Sequence, residues 1–379
     1  MSGTRQRYAV TGARGRPRGT AGGAAGGGAD LSARADRLAR MRRRGVTVFL
    51  GAVVVAVLLG GVVAAPVPYV VLSAGPTVNT LGSQDGKEVI KIKGTPTSTS
   101  RGQLRLTTVS VRPETDLLSA LWAWFDDEEA VVPRELIYPP DQTEEQVEQR
   151  NEEDFQQSQS SAETAALREL GYPVQVTVTK VVAGGPSEGR LRTGDVLVSV
   201  DGKPVGTAGE LTELIRARPA GTTLSIGYAR GGSPGLARVT SRVGKEGDPP
   251  RIGVEIDQRQ PHPFTLKIEL DEIGGPSAGL MFALGIVDKV RPDDLTGGRI
   301  IAGTGTIDDR GRVGPIGGIP QKLVGARAAG ASFFLTPADN CAEAADNAVP
   351  GLTLARVASL TDALNALDAV REGRQPAGC

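Results

Sequence analysis

Residues 45–65, GVTVFLGAVVVAVLLGGVVAA, carry no charged side chain. An α-helix needs about 20 such residues to cross the hydrocarbon core of a bilayer. Arg42, Arg43 and Arg44 stand directly before the run, and the next basic residue after it is Lys87. Basic residues favour the cytoplasmic side of a span. The pattern therefore predicts a single transmembrane helix over 45–65, with a cytoplasmic N-terminus and everything after Ala65 extracytoplasmic. A cleaved signal peptide is the rival reading. The run is long for one, and Pro66 directly after Ala64 and Ala65 is a poor cleavage context. Residues 1–44 are rich in Gly, Ala and Arg, with few large apolar side chains, and read as a disordered cytoplasmic tail.

The rest of the chain must form its own cores. Of 379 residues only 4% are aromatic, so those cores are built mainly from Val, Leu, Ile and Ala. The 43 basic and 43 acidic residues balance, which gives no global argument for a nucleic-acid partner. Cys341 and Cys379 are the two cysteines, with no CxxC or Cys/His cluster, so neither a metal site nor a cofactor is expected. A disulfide between them is permitted outside the cytoplasm, and two unpaired thiols are the alternative.

Beyond the anchor, residues 88–93 (EVIKIK) and 104–111 (LRLTTVSV) alternate as strands do. Leu117, Leu118, Leu121, Trp122 and Phe125 recur at helical spacing; core packing is the expectation for that stripe, with contact with the membrane surface near the anchor as the minor alternative. Residues 143–170 form a polar helix candidate with Gly171 as its stop. Residues 174–182 then read as a strand, followed by turn dipeptides at Gly194-Asp195 and Asp201-Gly202, a helix at 208–218 and a strand at 222–229. The stretch AGGPSEGRLRTGDVLVSVDGKPV, 183–205, resembles bacterial protease-associated PDZ modules. That resemblance implies peptide docking by strand addition. It would place a carboxylate-binding loop at Leu170, Gly171, Tyr172, Pro173 and Val174, where Pro173 removes one donor.

The chemistry concentrates in residues 271–279, DEIGGPSAG. A strand-like run (264–270) precedes them and an apolar helical run (278–287) follows. Strand, Gly/Pro turn, serine and helix expose the Ser277 hydroxyl and present helix-start N–H groups that could hold an oxyanion. A serine needs a base. The only histidine, His262, precedes Ser277, against the order of the α/β-hydrolases, whose GxSxG elbow the turn formally matches. Lys322 is the other candidate, 45 residues after the serine and beside Ile319, Leu323 and Val324. Desolvation and a helix N-terminus would both favour its neutral amine. The bland reading is a surface helix lysine.

Two stretches decide between them by resemblance. GPSAG at 275–279 and TGTIDDRGRVGPIGGIPQK at 304–322 resemble the nucleophile loop and the Thr-Gly…Pro-Ile-Gly-Gly-Ile-x-x-Lys motif of the Lon family of Ser-Lys peptidases. The resemblance carries the nucleophile onto Ser277, the base onto Lys322 and a lysine-orienting hydroxyl onto Thr304, with Gly275 and Pro276 supporting the turn. Gly274 stands where such sites commonly carry an acid, with Asp271 and Glu272 further upstream, and Thr306 stands where the family has Glu. No GxxxxGK[ST] phosphate loop occurs, so no ATP-driven step is expected.

The order of anchor, PDZ and Lon-type domain resembles the membrane-anchored PDZ-containing S16 peptidases of the YlbL type. It implies an α+β chain: an N-terminal transmembrane helix, then a Lon-type proteolytic α/β domain with an inserted PDZ domain, a small β-barrel plus helices. The expected boundaries are 66–171 and 249–370 for the two catalytic parts, 172–248 for the PDZ insert and 371–379 for a C-terminal tail. The implied activity is ATP-independent serine endopeptidase action on protein or peptide substrates. The alternative is a membrane-tethered PDZ scaffold with a degenerate peptidase domain. Lon relatives form rings, so a homo-oligomer is compatible with the resemblance, although nothing in the sequence itself marks a ring interface.

Overall fold

The structure is a computed structural model that describes residues 27–63, 65–126, 128–244, 247–270 and 274–379. The chain divides into two compact units, Met1–Ala65 and Pro66–Cys379.

In the first unit, helix α1 spans Gly27–Val63. It contains Gly45–Val62, which is long and apolar enough to cross a membrane and is not buried. The helix begins upstream of residue 45, so residues 27–44 are helical where a disordered tail was expected. Ala, Leu, Arg and Met, strong helix formers, fill most of positions 31–44, while the glycine-rich tract ends at Gly28. Residues 1–26 lie outside the described residues.

The second unit is built on a six-stranded sheet in the order Thr353–Val357, Phe333–Pro337, Ile300–Gly303, Gln103–Arg112, Tyr69–Asn79, Ala130–Pro133. The first four strands are mutually parallel, with Leu104 opposite Ile301 and Phe334 opposite Leu354. Tyr69–Asn79 runs antiparallel to both its neighbours. One sheet thus draws strands from before residue 171 and after residue 249.

Asp116 caps α2 (Leu117–Trp124) by accepting from Ser119 N at 2.8 Å. This helix buries Ala120 and Ala123 and exposes Leu117, Leu118, Leu121, Trp122 and Trp124, with Phe125 exposed just beyond it. The stripe expected in the core therefore faces out. Its spacing is helical, but the small alanines take the inner face.

A Thr143/Gln146 capping box starts α3 (Glu144–Glu169). Gly171 N donates to Arg168 O and Tyr172 N to Leu167 O, which closes the helix in a Schellman motif. Helix α4 (Ala208–Arg216) belongs to a second sheet, ordered Ser233–Thr240, Thr223–Arg230, Val196–Val200, Gln175–Val181, Val254–Arg259. Its core includes Val176, Val178, Leu197, Leu211, Ile215, Leu224, Ile226 and Val239. Buried Asp195 of the Gly194-Asp195 turn takes both Arg230 Nε and Nη2 at 2.7 Å. Val254–Arg259, which the expected boundaries place in the second catalytic part, is the last strand of this sheet, paired with Gln175–Val181.

Helix α5 (Gly279–Val290) is buried almost throughout, as an all-round apolar helix must be. It is covered by α3, where the rings of Phe155 and Phe282 meet edge-to-face at 5.8 Å. Helix α6 (Ile319–Ala328) lies on strands Tyr69–Asn79 and Gln103–Arg112. Ala344 of α7 (Cys341–Asp346) packs into the cluster that holds Ile319 and Leu323 of α6. Helix α8 (Leu360–Arg371) closes the main core. Cys341 and Cys379 are disulfide-bonded, which answers the question the sequence left open. The last residues are tied in further by Arg356 N donating to Ala377 O at 2.8 Å.

Candidate active site

Ser277 sits in a single 3₁₀ turn, Pro276–Ala278, that runs directly into α5. The turn is held from α3. Gly275 N donates to Asn151 O at 2.8 Å, and the Ser158 hydroxyl donates to Pro276 O at 2.9 Å. It is held from the other side by Gly305 N, which donates to Ser277 O at 2.9 Å. Sequence reasoning missed Asn151 and Ser158. Ser158 carried a signal: it is a polar residue on the same helical face as Phe155, Ala162 and Ala165.

Lys322 comes from the first turns of α6. Gly318 caps that helix in the left-handed region (φ 73°), and a Cβ there would lie 2.6 Å from Val109 Cγ2. Only glycine lets the chain turn this close to the strand. Lys322 Nζ then lies 2.9 Å from Ser277 Oγ and 3.0 Å from Thr304 Oγ1. The Thr304 hydroxyl donates to Ser277 O at 3.1 Å. Lys322 is 3% exposed and Thr304 0%. Burial lowers the Lys322 pKa from 10.5 to about 8. The surface-lysine reading is therefore wrong for this position.

His262 lies elsewhere in the fold. Its Nδ1 is 2.7 Å from Gln260 O, and its ring packs against Tyr172 and Phe264. Thr306 stands in the short strand Thr306–Ile307 and lines the cleft. A Cβ on Gly274 would meet the Asn151 Cβ at 3.0 Å, so an acidic side chain there would press on α3. Asp271 and Glu272 lie outside the described residues.

A cleft of about 550 Å³ opens over the pair. Thr108, Val109 and Ser110 line one side, and Pro276, Ser277, Lys322, Ile316 and Gly317 line the rest. Strand Gln103–Arg112 pairs with Ile300–Gly303 only through Leu106, so its continuation leaves an edge beside the cleft without a strand partner among the described residues. A larger cavity of about 980 Å³ between α3 and residues 267–270 meets this cleft at Gly274 but contains neither Ser277 nor Lys322. Among the described residues no group of three or more His, Cys, Asp or Glu side chains could hold a metal ion.

The five residues expected to capture a peptide carboxylate do not form such a loop. Leu170 N, Gly171 N and Tyr172 N are already donated to carbonyls of α3, and Pro173 has no N–H. Val174 leads into Gln175–Val181, which has a strand on each side. The edge of that sheet on this side is Val254–Arg259, where α4 is anchored by Ala208 N donating to Gln258 Oε1 at 2.8 Å.

Comparison with known proteins finds two families along the chain. Residues 272–367 match the family model described as the Lon protease (S16) C-terminal proteolytic domain. The chain carries a Lon-type proteolytic domain. Residues 146–240 match the PDZ domain model. That match takes in much of α3, whose buried face packs in the main core with α5, and omits Val254–Arg259. Lon protease 1 of Bacillus subtilis (strain 168) is 31% identical over 150 residues, 35% of this chain and 19% of that protein. The Lon protease of Azospirillum brasilense is 41% identical over 96 residues, 24% of this chain and 11% of its own. The PDZ domain of an SdrC-like protein from Listeria monocytogenes aligns at 25% identity and a TM-score of 0.21, over 21% of this chain and 85% of its own. The chain thus spans less than a fifth of the length of the curated relatives it matches.

Proposed function

We propose that the protein is a membrane-anchored serine endopeptidase that works through a Ser277–Lys322 dyad without ATP. The observation that carries this reading is the contact of 2.9 Å between Lys322 Nζ and Ser277 Oγ, made by a lysine that is almost fully buried. Neutral Lys322 takes the Ser277 proton as Oγ attacks a substrate carbonyl. The resulting oxyanion is held by backbone N–H groups. Gly275 N is committed to Asn151 and Pro276 has none, so within the turn we assign this task to Ser277 N, at the start of the run into α5. Protonated Lys322 then gives its proton to the leaving amine, and water hydrolyses the acyl-enzyme. The scissile segment lies as an added strand along Thr108, Val109 and Ser110, which line the cleft.

The catalytic domain forms from residues 66–171 and from residues after 259, with the PDZ module inserted between them. A peptide or protein segment docks on the module at the Val254–Arg259 edge, opposite α4. Gly45–Val62 anchors the chain, with the domains extracytoplasmic. A disulfide at Cys341–Cys379 suits that compartment.

Ser277→Ala and Lys322→Met should each abolish cleavage of an unfolded protein substrate and leave thermal unfolding of the domain essentially in place. A serine-reactive probe should label Ser277 and lose it in Lys322→Met. Wild-type turnover in either variant would overturn the mechanism. An intact fold that neither cleaves nor labels would favour a PDZ scaffold with a degenerate peptidase domain.

A further inference from the structure

Helix α2 is inside-out for a surface helix of a soluble domain. It buries two alanines and presents Trp122 and Trp124 at 71% and 69% exposure, followed by Phe125 at 75%. Leu117, Leu118 and Leu121 are exposed beside them, and the helix itself contains no charged residue. A face this apolar and this aromatic has no partner among the described residues. Its place in the chain indicates which one. Pro66, just beyond the apolar span, bridges to Asp116, the cap of α2, and Val67 N donates to Thr115 O at 3.0 Å. Arg134 N donates to Pro68 O at 3.0 Å and opens the turn that exposes Leu136. The residues that follow the span in sequence therefore help to hold α2 in place.

We infer that α2 is a second membrane contact, seating Trp122, Trp124 and Phe125 in the interfacial layer of the same bilayer that Gly45–Val62 crosses. This rests on the anchor reading above. Trp is enriched at membrane–water interfaces, where its apolar body and polar N–H are both satisfied. A short apolar helix cannot span and has too few residues to bind firmly alone. Tethered beside a span, it needs only to lie down, since the linker makes the second contact intramolecular. Its effect is to fix the orientation of the catalytic domain against the bilayer.

The chain holds only two tryptophans, Trp122 and Trp124, so intrinsic tryptophan emission reports on this face alone. The full chain is reconstituted in phosphatidylcholine vesicles made with or without lipids brominated near the headgroup end of the acyl chain. Flotation with resistance to alkaline carbonate is scored in parallel. The expected result is blue-shifted emission that loses intensity in brominated vesicles and resists aqueous iodide. Leu121→Glu/Phe125→Glu should reverse all three while flotation persists. Flotation without bromine quenching overturns the α2 contact and leaves the anchor standing. Loss of flotation overturns the anchor and this inference with it. Iodide protection without bromine quenching, rising with protein density, would place a second copy of the chain on the face and overturn the membrane contact.

Discussion

The Thr304 hydroxyl gives its hydrogen to the Ser277 carbonyl at 3.1 Å and takes one from Lys322 Nζ at 3.0 Å. Because the proton of Thr304 is committed, its oxygen can only accept from the lysine. The neutral amine must donate there, which leaves its lone pair free for Ser277 Oγ. In the proposed mechanism Thr304 is thereby a positioning residue for Lys322 and Ser277.

Thr304→Val should lower kcat by roughly 5–150-fold, the value of one aligned hydrogen bond of about 1–3 kcal/mol in a buried site. Thr304→Ser should restore most of it. KM for an unfolded substrate should move little in either, because the hydroxyl faces the lysine and not the cleft wall. Steady-state kinetics of the three proteins decide this, and equal kcat in wild type and Thr304→Val would remove Thr304 from the mechanism.

The pH profile should show a single ascending limb. Burial holds the Lys322 pKa near 8 against an ordinary 10.5, so the neutral amine gains population as pH rises through about 8. kcat/KM for a peptide amide should climb across that region and then level. A profile already flat below it would mean that another group is the base.

The same shift makes a prediction for stability. Between about 8 and 10.5 the unfolded chain binds the Lys322 proton and the folded chain has released it. Stability contributed by this site therefore rises with pH through that window, is fully gained above 10.5, and is lost as pH falls towards 8. Denaturant unfolding of wild type and Lys322→Met across the window should differ in slope, with the lysine protein gaining stability relative to the methionine protein as pH rises.

The serine loop, the strand before it, the helix after it and the lysine helix were legible because their signals are local. Gly, Pro and a following apolar run dictate a turn into a helix, and Pro320 at the start of α6 does the same for Lys322. Non-local relationships were not legible. Helical spacing at α2 gives a stripe but does not say whether Leu and Trp or the intervening alanines meet the sheet. Residues 170–174 follow a helix and precede a strand, as a binding loop does, yet their N–H groups are already used by the cap. Val254–Arg259 reads as connector because its partner, Gln175–Val181, lies far away in sequence. Asn151 acts through a backbone carbonyl, which no side-chain pattern encodes.

Peptide docking should leave a directional trace in hydrogen exchange. A saturating docked peptide should slow exchange at outward-facing amides of Val254–Arg259, which form a sheet edge. Amides of residues 170–174 should not respond, since those at Leu170, Gly171 and Tyr172 are bonded to α3 with or without peptide. Protection confined to 170–174 would return docking to the loop first expected.

The disulfide should support the lysine helix from outside the site. Cys341–Cys379 closes a sequence separation of 38 residues, for which chain-entropy arguments give about 3–4 kcal/mol. Cys341 begins α7, and Ala344 one turn later packs with Ile319 and Leu323, the α6 residues that bracket Lys322. Cys341→Ser/Cys379→Ser should therefore lower the denaturation midpoint clearly, while kcat at low temperature stays near wild type because no dyad contact passes through sulfur. Loss of activity should then track loss of α6 packing on heating, earlier than in the oxidised protein. A double variant with an unchanged midpoint would show that the β-bridge between Ala355 and Gly378 already holds the C-terminus without the covalent link.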